Sequence, residues 1–262
     1  MAAVIKLFWW LSKIFRFKFT YDLRFSRCDV YSLFKVIMKL LILMFSSLNS
    51  PYPDLIRAAC ETWNREEHPN ISTIFFHGNE GDLENSNIKT IYKAPASDAY
   101  NMQHVKYKKT LDYVWGQDWD FVLRGSLSSY FDKTLVYEKA LTLPKDKVYL
   151  GVKNQYMKDV SSELVYFASG CGHFQSRDVA DILRKELPET SYHHEDVLQA
   201  EILLKYGIEV TSGAERYDFN SGDALRSCYH YRCKGETKEE TIGNFKKVYS
   251  FLKEHREFLD KD

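Results

Sequence analysis

Two adjacent carboxylates, Glu195 and Asp196, stand where a helix begins, directly behind His193 and His194. A carboxylate there can take a proton from an attacking hydroxyl, which is general-base chemistry. The plain alternative is capping, since acidic residues suit the positive end of a helix. His230, Arg232 and Lys234 alternate along an extended run and so share one face. Three cations on one face can neutralise a phosphate or diphosphate leaving group, or they can be a solvated strand edge. The third group is Arg124-Gly-Ser126-Leu-Ser128-Ser129, which follows the apolar run Phe121-Val-Leu123. A buried strand that stops at a basic residue, a glycine and serines delivers hydrogen-bonding groups to one sheet edge. Ligands of open α/β sheets bind outside such carboxyl ends. His193 and His194 diverge as neighbours on a helix start, which argues against shared metal ligation.

Elements must hold these groups. Lys39–Phe45 and Ile71–Phe76 read as buried strands, and Asn87–Tyr92 as a shorter one. Asp54–Arg65, Val105–Trp115 and Leu135–Leu141 read as helices between strands. Lys106, Lys108 and Lys109 lie on the second of these and read as solvated. Lys147–Val152 and Ile208–Val210 are further strands. Tyr166–Asp178 reads as strand and turn, pivoting on Gly170 and Gly172, where glycine permits positive φ or close approach by a ligand. Helices follow over Val179–Glu186, His193–Lys205 and 237–259. Strands alternating with helices imply an α/β fold with a mainly parallel central sheet flanked by helices. No linker or repeat divides residues 38–262, which read as one domain.

The 262 residues carry 36 basic and 36 acidic side chains, a net charge of zero. That balance argues against nucleic acid as a partner held by bulk electrostatics. The five cysteines, Cys28, Cys60, Cys171, Cys228 and Cys233, contain no CxxC pair. Structural zinc is therefore not expected, and a reducing compartment with free thiols is the simplest reading. Asn70-Ile-Ser72 fits a glycosylation acceptor, a pattern common by chance. Residues 1–37 are basic and aromatic, with Lys6 and Lys13 interrupting an apolar segment too short to span a bilayer. Two readings stay open there: a peripheral contact with a membrane surface, or a plain extension before Met38. The expected location is cytoplasmic, or peripheral on a membrane face.

Five segments in this order resemble one family. They are Leu41-Ile-Leu-Met-Phe-Ser-Ser, Trp119-Asp-Phe-Val-Leu-Arg-Gly-Ser-Leu-Ser-Ser, Tyr166-Phe-Ala-Ser-Gly-Cys-Gly-His-Phe-Gln-Ser-Arg-Asp, His194-Glu-Asp-Val and His230-Tyr-Arg-Cys-Lys. Over residues 38–235 the chain resembles GT-A-fold glycosyltransferases of the Fringe and β-galactosyltransferase type, and the small glycosyltransferases of large DNA viruses and bacteria. The resemblance implies a GT-A-like domain and transfer of a hexose or pentose from a nucleotide-diphosphate sugar to a hydroxyl of a glycan or glycoprotein, with inversion.

It also implies roles. Asp196 is favoured as base, with Glu195 as its neighbour or an acceptor ligand, or the reverse. Ser46, Ser47 and Asn49 would meet the nucleoside, and Ser169, Gly170 and Gly172 would shape the sugar and acceptor side. The family's Asp-x-Asp holds Mn²⁺ or Mg²⁺ against the diphosphate, but Ser126-Leu127-Ser128 stands in its place. Hydroxyls are poor ligands for such cations beside carboxylates. Either Asp120 or Asp132 substitutes, or the metal is lost. In the latter case Arg124, His230, Arg232 and Lys234 meet the diphosphate, and Ser126 and Ser128 bind hydroxyls or phosphate. The competing reading is a degenerate module that binds sugar nucleotides or glycans without turnover.

Overall fold

Every residue of β1 (Leu40–Phe45) is buried, because helices cover both faces of the strand. Alternate side chains therefore enter two different cores. Leu40, Ile42 and Met44 belong to one, and Leu41, Leu43 and Phe45 to the other. The computed structural model describes residues 38–80, 91–158, 163–192, 194–219 and 225–259. The expected basic extension over residues 1–37 lies outside them, as do residues 87–90 and His193. Residues 38–262 form one compact unit. No helix among the described residues is long and apolar enough to cross a membrane.

The central sheet has the order β3-β2-β1-β4-β7-β6. β2 (Ile71–His77) and β4 (Phe121–Ser126) flank β1 in parallel, and β3 (Ile91–Lys93) extends the parallel run. β7 (Leu164–Ser176) is antiparallel to both β4 and the edge strand β6 (Tyr149–Met157). The result is the mixed α/β architecture with a mainly parallel sheet that the alternation of elements implied. One layer packs α1 (Tyr52–Glu61), α3 (Lys133–Leu141) and α6 (Lys238–Leu259) over the sheet. A small sheet, β5-β9-β8, sits in the same layer and comprises Ser129–Phe131, His230–Arg232 and Tyr217–Asp218. The other layer holds α2 (Gln103–Val114), α4 (Arg177–Glu186) and α5 (Glu195–Leu204).

Several expectations are corrected. Ile208–Val210 is no strand, and only Thr211 beside it makes a single bridge, to Leu150. The pivots at Gly170 and Gly172 do not turn the chain. β7 continues through them, and Ser169–Gly172 bulges out opposite the single residue Val152 of β6. Such a bulge bends the strand and re-aims its side chains. Asp132 caps α3, accepting from the Thr134 and Leu135 amides at 3.1 and 3.2 Å, and pairs with Arg256 at 2.7 Å. Asp120 lies at the amino end of β4, where it accepts from the Lys39 amide at 2.7 Å. Neither carboxylate is available to replace the missing aspartates at the carboxyl end.

Candidate active site

β4 ends in Arg124-Gly125-Ser126, and the bulge of β7 lies beside it, with Gly125 paired to Gly172. Arg124 points into the α5 layer. It is 4% exposed, and its Nη2 meets Glu195 Oε2 at 2.5 Å. It also donates to the Gly170 carbonyl and lies 4.1 Å over the Phe45 ring. This corrects the expectation that Arg124 faces a diphosphate, since its charge is spent inside the fold.

Glu195 is equally buried, and donors converge on it. Tyr107 donates to Gln175 at 2.6 Å, Gln175 donates to Gln199 at 2.9 Å, and Gln199 donates to Glu195. Gln175 also donates to His173 Nε2 at 2.9 Å, leaving His173 Nδ1 to donate to the Ser169 carbonyl at 3.3 Å. Burial holds His173 neutral, with its pKa pushed down to about 3. Burial pushes the Glu195 carboxyl up to about 7, against the pull of Arg124 and Gln199. A chain of donors ending on one buried carboxylate, with each of its oxygens bonded, fixes its position.

Asp196 differs. It occupies the first turn of α5 and is half-buried. Its Oδ1 is 3.2 Å from the Val197 amide, and among the described residues no cation pairs with it. The two carboxylates that were equivalent in sequence thus have different surroundings.

A second buried pair braces the same edge. Lys106 Nζ binds Asp98 Oδ1 at 2.7 Å and the Ser46 carbonyl at 2.8 Å, while Gly78 donates to the same Asp98 oxygen at 2.7 Å. Burial lowers the Lys106 pKa, and Asp98 opposes that shift. Lys106 is therefore not the solvated lysine expected. Nothing local in the helix pattern separates it from Lys108 and Lys109, because its partner comes from a loop. Ser46 also donates its hydroxyl to the Phe76 carbonyl at 2.7 Å, so it joins β1 to β2. Ser47 accepts from the exposed Asn49 amide at 3.2 Å.

The small sheet supplies the rest. Ser129 is paired with Arg232, and Phe131 with His230, so all four share a face. Ser129 donates to the Cys171 carbonyl at 2.6 Å, which presses that face on the bulge. His230 is 2% exposed and sits 3.2 Å from Ser129 Oγ. Burial, with Arg216 and Arg232 nearby, pushes its pKa down to about 3. It is neutral, which corrects its expected place in a cationic triplet. Ser126 and Ser128 are half-buried, with hydroxyl oxygens 3.1 Å apart. Cys233 donates to the Ser128 carbonyl at 2.7 Å, bringing the Arg232–Lys234 run against this turn. Arg216, which no sequence pattern singled out, donates to Ser169 Oγ at 2.9 Å.

The glycines have packing reasons. A Cβ on Gly170 would lie 2.5 Å from Arg124 Nη1, and one on Gly172 would lie 2.6 Å from His230 Cε1. The close approach is by the protein's own side chains. Gly172→Ala is expected to cost about 1–3 kcal/mol through overpacking, read as a lower midpoint in urea unfolding. An unchanged midpoint would mean that His230 moves freely.

Among the described residues no three His, Cys, Asp or Glu side chains converge on a metal position. The two hydroxyls of Ser126 and Ser128, with Asp120 and Asp132 engaged elsewhere, do not fit a hard divalent cation.

No protein-family model matches the chain, and no curated protein does. Among solved structures, a glycosyltransferase involved in the glycosylation of the major capsid of PBCV-1 is similar over 79% of this chain and 98% of that one. The TM-score is 0.44 and the identity 11%. A likeness of that degree decides nothing about chemistry, which rests on the residues described above.

Proposed function

We propose that the protein is a glycosyltransferase that moves a sugar from a nucleotide-diphosphate donor to an acceptor hydroxyl, with inversion. The observation that carries this is the division of the acidic pair. Glu195 is locked to Arg124 and Gln199, while Asp196 beside it in the first turn of α5 has no cation partner among the described residues. Glu195 anchors the helix start, and Asp196 is the base. Asp196 takes the acceptor's proton, the acceptor oxygen attacks the anomeric carbon, and the bond to the diphosphate breaks. The nucleoside diphosphate leaves with the electron pair. Ser47 and Asn49 at the end of β1 are assigned to the nucleoside, and Ser169 in the bulge to the sugar or acceptor. A glycan or glycoprotein is the acceptor class.

The test is a panel of sugar nucleotides offered to the full chain. Release of nucleoside diphosphate and the anomeric form of the freed or transferred sugar are followed by NMR. One donor turned over with inversion is the expected result. Donors that bind but are never cleaved, with any acceptor, would replace this reading with the non-catalytic module.

A further inference from the structure

Among the described residues, two of the cations left over in the site, Arg232 and Lys234, have no carboxylate partner, and the third, Arg216, has one. Arg232 is half-buried, its Nε is inaccessible to solvent and without a partner, and no carboxylate pairs with its guanidinium among the described residues. Leaving an arginine unsatisfied in this way is costly unless something else supplies the acceptor. Lys234, two residues on, is exposed and likewise unpaired among the described residues. Arg216 has one side-chain bond to Ser169, and its other partner is Asp218 at 2.9 Å. The Asp218 side chain is 58% exposed, whereas that of Arg216 is 9% exposed. The pair is bidentate, Nε to Oδ1 and Nη2 to Oδ2 both at 2.9 Å, so an anion bound by Arg216 must compete with a carboxylate whose outer side is open to water.

Position brings these groups together. Asp218 is paired with Arg232 across β8 and β9, and Ser129 with Arg232 across β5 and β9. Arg216 and Arg232 both act on the neutral His230 between them. The Ser126 and Ser128 hydroxyls are carried against the same run by the Ser128–Cys233 bond. Two guanidiniums, an ammonium and two hydroxyls can all donate to a phosphate-rich anion, which would displace the Asp218 carboxylate beside them.

We infer that Arg216, Arg232 and Lys234, with the hydroxyls of Ser126 and Ser128, form a diphosphate clamp that works without a divalent cation. The inference rests on the proposed transfer reaction only for the identity of the anion as a leaving group. Arg216 is the member that sequence does not reveal. Its release from Asp218 onto the anion is the step that closes the clamp.

The probe is inorganic pyrophosphate, titrated calorimetrically into the full chain in EDTA and again with Mn²⁺. Binding in EDTA is expected. Arg232→Gln and Arg216→Gln should each weaken it by about tenfold or more, as loss of a charge-assisted bond predicts. Arg216→Lys and Ser128→Ala serve as milder variants, and unfolding midpoints separate lost binding from lost folding. Binding that appears only with Mn²⁺ would overturn the clamp. So would binding that the arginine variants leave unchanged while salt abolishes it, since that marks diffuse attraction. Pyrophosphate bound in EDTA without turnover of any sugar nucleotide would keep the clamp and sink the transferase. Turnover that requires Mn²⁺ would do the opposite.

Discussion

Asp196→Asn should lower the rate of sugar transfer by about 10²–10⁴-fold, the range lost when a positioned base is removed. The change preserves shape and leaves the buried network untouched, because Asp196 takes no part in it. The effect should therefore fall on kcat, with donor binding and the unfolding midpoint close to those of the unmodified protein. Glu195→Gln makes the contrast. An amide cannot accept the Arg124 ion pair, so this variant should lose stability first and activity as a consequence. If Asp196→Asn transfers sugar at the original rate, Asp196 is not the base. If Glu195→Gln instead folds normally and is inert, the two roles are reversed. Because Glu195 is buried and already bonded on both oxygens, that reversal would also require the α5 start to move during turnover.

The second large effect is on folding. Arg124→Met should destabilise the protein by about 3–5 kcal/mol, since it strands the Glu195 charge inside the fold. The Met side chain still covers Phe45, so the loss is mostly electrostatic. Arg124→Met combined with Glu195→Leu should recover much of that loss, because an apolar pair of similar volume avoids desolvating two ions. Urea unfolding of the two single variants and the double variant measures the coupling. Additive losses would show that the pair contributes nothing specific. The pH dependence has a definite sign. The Glu195 carboxyl is already pushed up by burial, to about 7, and removing Arg124 raises it further. A folded state that holds a proton more tightly than the unfolded chain loses stability as pH rises through that window. The deficit of Arg124→Met should therefore grow as pH rises above about 7 and level off below it, where Glu195 is protonated in both folded proteins.

Much of the scaffold was readable because buried parallel strands are continuous apolar runs. Lys39–Phe45 and Ile71–Phe76 differ from β1 and β2 by one residue each, and the helices between them follow from helical spacing. The antiparallel part was less readable. A third of β6, Lys153–Gln155, is an exposed edge with no apolar signature. Gly170 and Gly172 signal a turn in any local reading, whereas β7 continues through both, held at Gly172 by the ladder to β4.

The candidate site divides in the same way. The segments that approach each other were legible as motifs, but the state of each side chain was not. Arg124, His230 and Lys106 are ordinary cations in sequence. Of their partners, Glu195 and Ser129 come from distant elements and Asp98 from the loop before α2, and burial decides which of the cations keeps a usable charge. Arg216 carries no motif at all, and only the fold of the small sheet brings it to Ser169.

The bulge of β7 has a consequence for how such a protein can diverge. The ladders on either side of Ser169–Gly172 are fixed by their own partners, Gly151 with His173 and Lys153 with Ala168. Residues can be added to or removed from Ser169–Cys171, short of the Gly172 pairing with Gly125, without shifting either register, so no paired side chain changes face. What does change is the segment lying against Arg124, His230 and Arg216. A sheet built this way lets insertions and deletions accumulate at the crevice while the hydrogen-bonded frame is inherited intact.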